Sequence, residues 1–493
     1  MTETTPSDGS SPKQTSALVP LNVLWPFILL TSLFAWWGLA NNMTDTLLAA
    51  FKRIMSMSDG RTALIQVVCY GAGYGLLAIP AAIFIKKFSY KSGVLLGLGL
   101  YVVGALLFYP AMMTYYYYPN LTFYFFLAAL WILFGGLSIL ETAANPYICT
   151  MGPEESATRR LNLAQSFNPL GSIMGVIISQ MFILSQLSKA SAAERAIMTA
   201  EELEITQSGE LSAVTMTYVV VGLVLLLTWI LIAVTRMPKA SEEDKTLDLV
   251  GTFRRLISNR HYVWGVVAQF FYVGAQIAVW SFTIRYVMQA LKLEEINLPE
   301  GVTSESLAGG YYTAALVLFV LSRFVCTWLM RFMTPGNLLT VLSFVAIVCT
   351  LLVIFPFGGI YELPVPFVES PILLSVSVCA LIGISGCMSL MFPTIFGLAV
   401  RGLGEDTKLG GAGLIMAILG AAVLTQIQGV VSDCVETGKL ELPVFGTVWE
   451  SAGGGSPGYG INAAYWVPLI AFVVIAYYGA VACRKDLPNS TPE

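Results

Sequence analysis

Long apolar stretches separated by short polar loops run through the chain, beginning near Leu21, Thr62, Ser92, Leu121, Leu161, Val214, Tyr262, Leu307, Asn337, Pro371, Leu409 and Ala463. A helix rises about 1.5 Å per residue, so roughly twenty such residues cross a hydrocarbon layer about 30 Å thick. The pattern predicts twelve membrane-spanning helices, numbered 1 to 12 below. Two of them carry a carboxylate deep inside: Glu141 in LAALWILFGGLSILETAANPYICTM and Asp45 in WPFILLTSLFAWWGLANNMTDTLLAAF. An ionisable group at such depth is costly and marks a functional site by default. Two acids in a chain otherwise built to dissolve in lipid point to protons being carried. The plainer alternative is that each acid is a structural group paired with an amide or a backbone partner.

Composition narrows the class. The 493 residues are 56% hydrophobic and 11% charged, against about 25% charged in a soluble domain. A net charge of -4 offers no basic surface for nucleic acid. With a single histidine, His261, and eight cysteines in no CxxC spacing, neither a metal site nor a cofactor is expected. There is no GxxxxGK[ST] loop to hold ATP. A membrane aspartyl hydrolase would need its two carboxylates about 3 Å apart, and acids on helices 1 and 4 suit proton carriage better. No catalytic residue is assigned, and the chain is read as a non-enzyme.

The chain divides into a polar tail (1–20), a six-helix bundle (21–236), a charged linker (237–261), a second six-helix bundle (262–483) and a short tail (484–493). With both termini placed inside, seventeen Lys and Arg fall in inside loops and seven in outside loops. That bias predicts an integral plasma (inner) membrane protein with both termini cytoplasmic. A faint repeat supports the division. Helix 4 ends NPYICTMGPEE and helix 10 ends FPTIFGLAVRGLGED, each with a proline, an isoleucine two residues on, and a glycine before an acidic pair. Five residues before the proline, one half has Glu141 and the other Met388. The fold therefore does not require an acid at that place.

Polar and aromatic side chains at helical spacing supply a candidate site. Helix 1 offers Trp37, Asn41 and Asp45 at successive steps of four, with Asn42 alongside; helix 4 offers Glu141 and Asn145. Helix 5 opens RRLNLAQSFNPLG, with Asn162, Gln165 and Asn168; helix 7 carries Gln269, Tyr272, Gln276 and Trp280 in one stripe. Carboxamides donate and accept, as sugar hydroxyls do, and aromatic faces suit the C–H face of a sugar ring. The same amides could instead bond helix to helix. The aromatic run Tyr115–Tyr118 reads as an interfacial anchor.

The segments WWGLANNMTDTLLAAFK, GGLSILETAANPY, RRLNLAQSFNPLG, VGAQIAVWSFTIRY and PTIFGLAVRGLGEDTKLGG resemble the L-fucose:proton symporter group of the major facilitator superfamily, which also contains glucose/galactose transporters. The resemblance implies an all-α fold of twelve helices in two halves, working by alternating access as a monomer within lipid, with a monosaccharide and a proton as partners. It implies a proton-coupling role for Glu141 and cavity roles for Gln165 and Asn168. Fucose symporters carry a helix 1 aspartate at the position of Asn42, an amide here, and Asp45, one turn further on, is the acid expected to take that role. Phe392 stands where fucose symporters have a cavity tyrosine, and Lys86 where the wider superfamily has a gating aspartate. Two other readings stay open: proton-coupled efflux of metabolites or drugs, and a membrane sugar sensor that binds without transport.

Overall fold

The computed structural model describes residues 18–55, 65, 67–188, 192–238, 248–293, 304–363, 372–442, 446–451, 454–456 and 458–483. Twelve helical rods follow the apolar stretches. Helix 1 is Leu24–Ile54, and helix 2 joins a π-helical run, Val67–Gly75, to Leu76–Lys87. Helix 3 is Tyr90–Leu106 continued by Phe108–Tyr117, and helix 4 is Pro119–Thr150. Helix 5 is broken into Ala157–Gln165 and Phe167–Phe182, and helix 6 is Ala200–Val234. An amphipathic linker helix, Leu249–Ser258, leads into helix 7, Arg260–Ala290. Helices 8 and 9 are Ser304–Leu329 and Pro335–Ile354. Helix 10 is broken into Val376–Met388 and Met391–Ala399. Helix 11 is Thr407–Met416 and Gly420–Thr437, and helix 12 runs from Gly460 to Ala482 in three joined pieces.

Among the described residues, ten rods are long and apolar enough to cross a membrane by length and composition alone. Helices 2 and 5 fall below that threshold. Helix 5 opens with Arg159, Arg160, Asn162 and Gln165, the last three buried within the protein. Residues such as Leu227, Phe344 and Val473 are more than half exposed, as lipid-facing positions must be. Two short antiparallel hairpins, Tyr361–Leu363 with Ile372–Leu374 and Lys439–Leu442 with Gly446–Glu450, sit in the loops after helices 9 and 11. The helical pattern did not foresee them, because three to five residues carry too little periodicity to register.

The two halves repeat one packing scheme. In the first, glycines press helix 1 onto helix 5: a Cβ on Gly171 would lie 1.8 Å from the Ala35 carbonyl oxygen, and one on Gly38 2.0 Å from that of Asn168. In the second, helix 7 meets helix 11 the same way: a Cβ on Gly420 would lie 2.0 Å from the Phe270 carbonyl oxygen. A 3-10 turn carrying an acidic pair opens helix 5 (Glu154–Ser156), and another opens helix 11 (Gly404–Asp406). These are the two places where the sequence repeats.

Across the halves the pairing is crosswise, helix 5 against helix 10 and helix 4 against helix 11. Gly397 sits against Thr158, and Gly411 against Pro146. Both contacts lie toward the end that carries the linker, called the linker end here. There the Tyr147 hydroxyl donates to the Pro238 carbonyl at 2.6 Å, and Lys86 donates to Thr252 of the linker helix at 3.3 Å. Arg255 forks onto Asp406 at 2.7 and 2.8 Å, and the carboxylate adds to the guanidinium's affinity for its proton. At the opposite end, Tyr116, Tyr117 and Tyr118 are exposed, while Tyr115 donates to Gln207 at 2.8 Å.

Gly171→Ala is expected to lower the melting temperature of the purified protein by several degrees, since overpacking a close helix contact costs about 1–3 kcal/mol. Gly209→Ala on helix 6, whose added Cβ meets nothing within 4 Å, is the control and should match or exceed the parent. Equal melting temperatures for the two variants would count against the glycine contact.

Candidate functional site

Glu141 is 2% exposed, held in the middle of helix 4. The Tyr74 hydroxyl, from the π-helical part of helix 2, donates to its Oε1 at 2.6 Å. Its Oε2 is buried with no hydrogen-bond partner among the described residues. An ionised carboxylate would leave charge on that bare oxygen, which is expensive, whereas a protonated acid would not. One turn on, Asn145 Nδ2 donates to the Glu141 carbonyl at 3.0 Å, and Gln165 Nε2 donates to Asn145 Oδ1 at 2.7 Å. Tyr74 of helix 2 thus holds the Glu141 carboxyl, and one turn away Gln165 of helix 5 holds Asn145, whose amide bonds the Glu141 main chain and not its carboxyl.

Trp37 of helix 1 faces the other half. The Trp37 ring meets Phe392 edge-on at 6.5 Å, and Phe392 meets Tyr272 at 6.2 Å. Trp37 Nε1 and Asn41 Oδ1 are buried without partners among the described residues, so both could bond a ligand. Asn42 Nδ2 donates back to the Gly38 carbonyl at 3.2 Å. Asp45 belongs to helix 1, but its side chain lies outside the described residues. Asn168 and Gln276 are half-buried. Trp280 Nε1 donates to Ser385 at 3.2 Å within its own half, and Tyr272 donates to the Met388 carbonyl at 3.1 Å. Gln269 is fully buried with neither amide atom partnered among the described residues.

Toward the linker end the site is sealed. Asn162 Nδ2 donates to Thr394 across the halves at 3.1 Å, and Lys408 stands 5.5 Å over the Tyr90 ring. A separate cavity of about 290 Å³ lies at that end, lined by Lys86, Asp248, Arg255, Leu403, Glu405 and Asp406. It shares no residue with the candidate site.

Two residues that bond to members of this candidate set were not among the candidates. Tyr74 is inconspicuous in an apolar run, and no spacing rule links it to Glu141, 67 residues away. Arg323 was visible as a charge within helix 8, but its partners are main-chain carbonyls: Gln165 at 2.9 Å and Ser389 at 2.5 Å.

Residues 16–425 match the Major Facilitator Superfamily model. The chain is 38% identical over 463 residues to the L-fucose-proton symporter of Haemophilus influenzae, covering 92% of this chain and 95% of that one. It is 37% identical over 412 residues to the L-fucose-proton symporter of Escherichia coli K12, covering 83% and 87%. Identity to the glucose/galactose transporter of Brucella abortus is 29%, covering 92% and 93%. Two crystal structures of FucP, the E. coli fucose:proton symporter, superpose with TM-scores of 0.75 at 34% and 35% identity, each covering 92% of this chain and 98% of that one. One of them is in the outward conformation.

Tyr74→Phe removes the only donor that reaches the Glu141 carboxyl among the described residues. It should reduce gradient-driven substrate accumulation severalfold while the protein still folds, an unmet buried acceptor costing about 1–3 kcal/mol. Tyr101→Phe, whose hydroxyl makes only a 3.5 Å contact to Trp36, should change accumulation little. Equal accumulation in the two variants would remove Tyr74 from the site.

Proposed function

The chain belongs to the major facilitator superfamily, and from that footing we propose that it is a symporter driving uptake of a monosaccharide, L-fucose or a related hexose such as galactose or glucose, with a proton. The single observation that carries this is the buried cluster of Tyr74, Glu141, Asn145 and Gln165, in a protein 38% identical to an L-fucose-proton symporter. It sets a titratable acid one helical turn from amides suited to hydroxyls.

In this mechanism the sugar enters between the halves from the end opposite the linker. Trp37 and Phe392 give it an apolar face, and Asn41, Asn42, Asn145, Gln165, Asn168, Gln276 and Trp280 bond its hydroxyls. Loading a proton on Glu141 or Asp45 neutralises the site, and the neutral, loaded carrier then reorients. One charge crossing about 100 mV supplies about 2.3 kcal/mol, roughly a fifty-fold concentration ratio. The excess of Lys and Arg in the loops on the linker side supports placing both termini in the cytoplasm, in the inner membrane. A complete set of candidate groups within one chain supports function as a monomer.

Two measurements on proteoliposomes test this. Glu141→Gln is expected to retain sugar exchange at equal concentrations on the two sides and to lose accumulation under an imposed pH gradient. Accumulation at the parent level would refute the coupling role. Asn168→Ala and Gln276→Ala should each weaken sugar affinity about fivefold to tenfold, the worth of one hydrogen bond, with melting temperature nearly unchanged. A lower melting temperature with unchanged affinity would instead make these amides interhelical bonds.

A further inference from the structure

Arg323 is 3% exposed in helix 8, and no carboxylate lies within ion-pair distance of it among the described residues. A buried, unpaired guanidinium is costly inside a membrane, so its two partners need an explanation. Inside a helix, each carbonyl accepts from the N–H four residues ahead. Four residues beyond Gln165 stands Pro169, and four beyond Ser389 stands Pro393. Neither proline has an N–H to give. The two carbonyls these prolines leave open, one in each half, are the two that Arg323 fills: Nη1 donates to Gln165 and Nε to Ser389. The guanidinium also rests on the Phe319 ring, 4.8 Å from its centroid.

We propose that Arg323 is a pin between the halves, a positioning residue that caps the proline-freed carbonyls of helices 5 and 10 with one guanidinium and so stabilises the state sealed at the linker end. Its bond to Ser389 lies within the second half and survives a rocking motion. Its bond to Gln165 crosses between halves and must break each time the linker end opens. The Gln165 side chain also holds Asn145, one helical turn from Glu141 and bonded to its main chain. Opening the seal and rearranging the site therefore pull on one residue. Only this last consequence rests on the symport reading; the pin itself does not.

The test uses the full chain in lipid nanodiscs, with spin labels carried by non-canonical residues at Lys87 and Arg401. Both positions are exposed, one on each half at the linker end. Arg323→Met is compared in the parent and in a Pro169→Ala/Pro393→Ala background, where the backbone N–H groups return. In the parent, Arg323→Met should raise the population with long interlabel distances about threefold to tenfold, one hydrogen bond's worth, and lower the melting temperature by several degrees. In the alanine background both effects should shrink, because the carbonyls regain their helical donors. Arg323→Lys, a point donor without the fork, should fall between. Unchanged distances in Arg323→Met would overturn the pin, and equal effects in the two backgrounds would overturn its assignment to the carbonyls. If Arg323→Met fails to fold, the triple variant should fold; its failure would also reject the proposal. Neither readout involves sugar, so an error in the substrate class leaves this test intact.

Discussion

Inside a bilayer no water waits to satisfy a backbone carbonyl, so each one must find its donor within the protein. This chain breaks helices 5 and 10 where Pro169 and Pro393 follow, and thereby takes on two carbonyls that must be closed from elsewhere. Closing both with Arg323 ties the halves together at the level of the breaks. The same breaks let the first turns of helix 5 carry Asn162 to Thr394 and Gln165 to Asn145. A straight helix 5 would present those amides at other angles. The seal, the amide pair and the buried cation are three consequences of one backbone constraint.

The halves share a scaffold and differ in chemistry. Glycine contacts of helix 1 on helix 5 and of helix 7 on helix 11 are alike, as are the 3-10 turns that open helices 5 and 11. Yet where the first half places Glu141, the second places Met388, whose carbonyl merely accepts from Tyr272. Carboxyls sit only in the first half's candidate set, whereas amides and aromatic rings line both halves: Trp37, Asn145 and Gln165 on one side, Tyr272, Gln276 and Phe392 on the other. A ring with hydroxyls on its edge and C–H groups on its face fits between two such walls.

What could be read in the sequence was whatever contrasts with its surroundings. Glu141 stood out because an acid in an apolar run is costly at that depth, and the twelve rods because twenty apolar residues are hard to mistake. The helix 4 and helix 10 endings gave the internal repeat because proline and glycine have strict backbone consequences. Tyr74 gave no contrast, being one aromatic among many, and its importance is purely a matter of which oxygen it reaches. Arg323 did give contrast, and Pro169 and Pro393 each announce an open carbonyl four residues back. What no spacing could supply was the pairing, since Arg323 lies 158 residues from Gln165 and 66 from Ser389. The hairpins at the loop tips were invisible because their strands are too short to show a period.

The geometry also separates what must move from what must stay. Glycine-tight contacts within each half, with a carbonyl oxygen 1.8 to 2.0 Å from where a Cβ would stand, leave little room for sliding, so helix 1 travels with helix 5 and helix 7 with helix 11. Between halves, beside the packing of Gly397 on Thr158 and of Gly411 on Pro146, the hydrogen bonds are few: Asn162 to Thr394, Arg323 to Gln165, and Lys86 to the linker helix. Each is a single hydrogen bond, worth about 1 kcal/mol net, and each can be exchanged for water when the linker end opens. A carrier needs that imbalance. Bonds within a half must outlast the cycle, and bonds between halves must be weak enough for one bound sugar and one proton to tip.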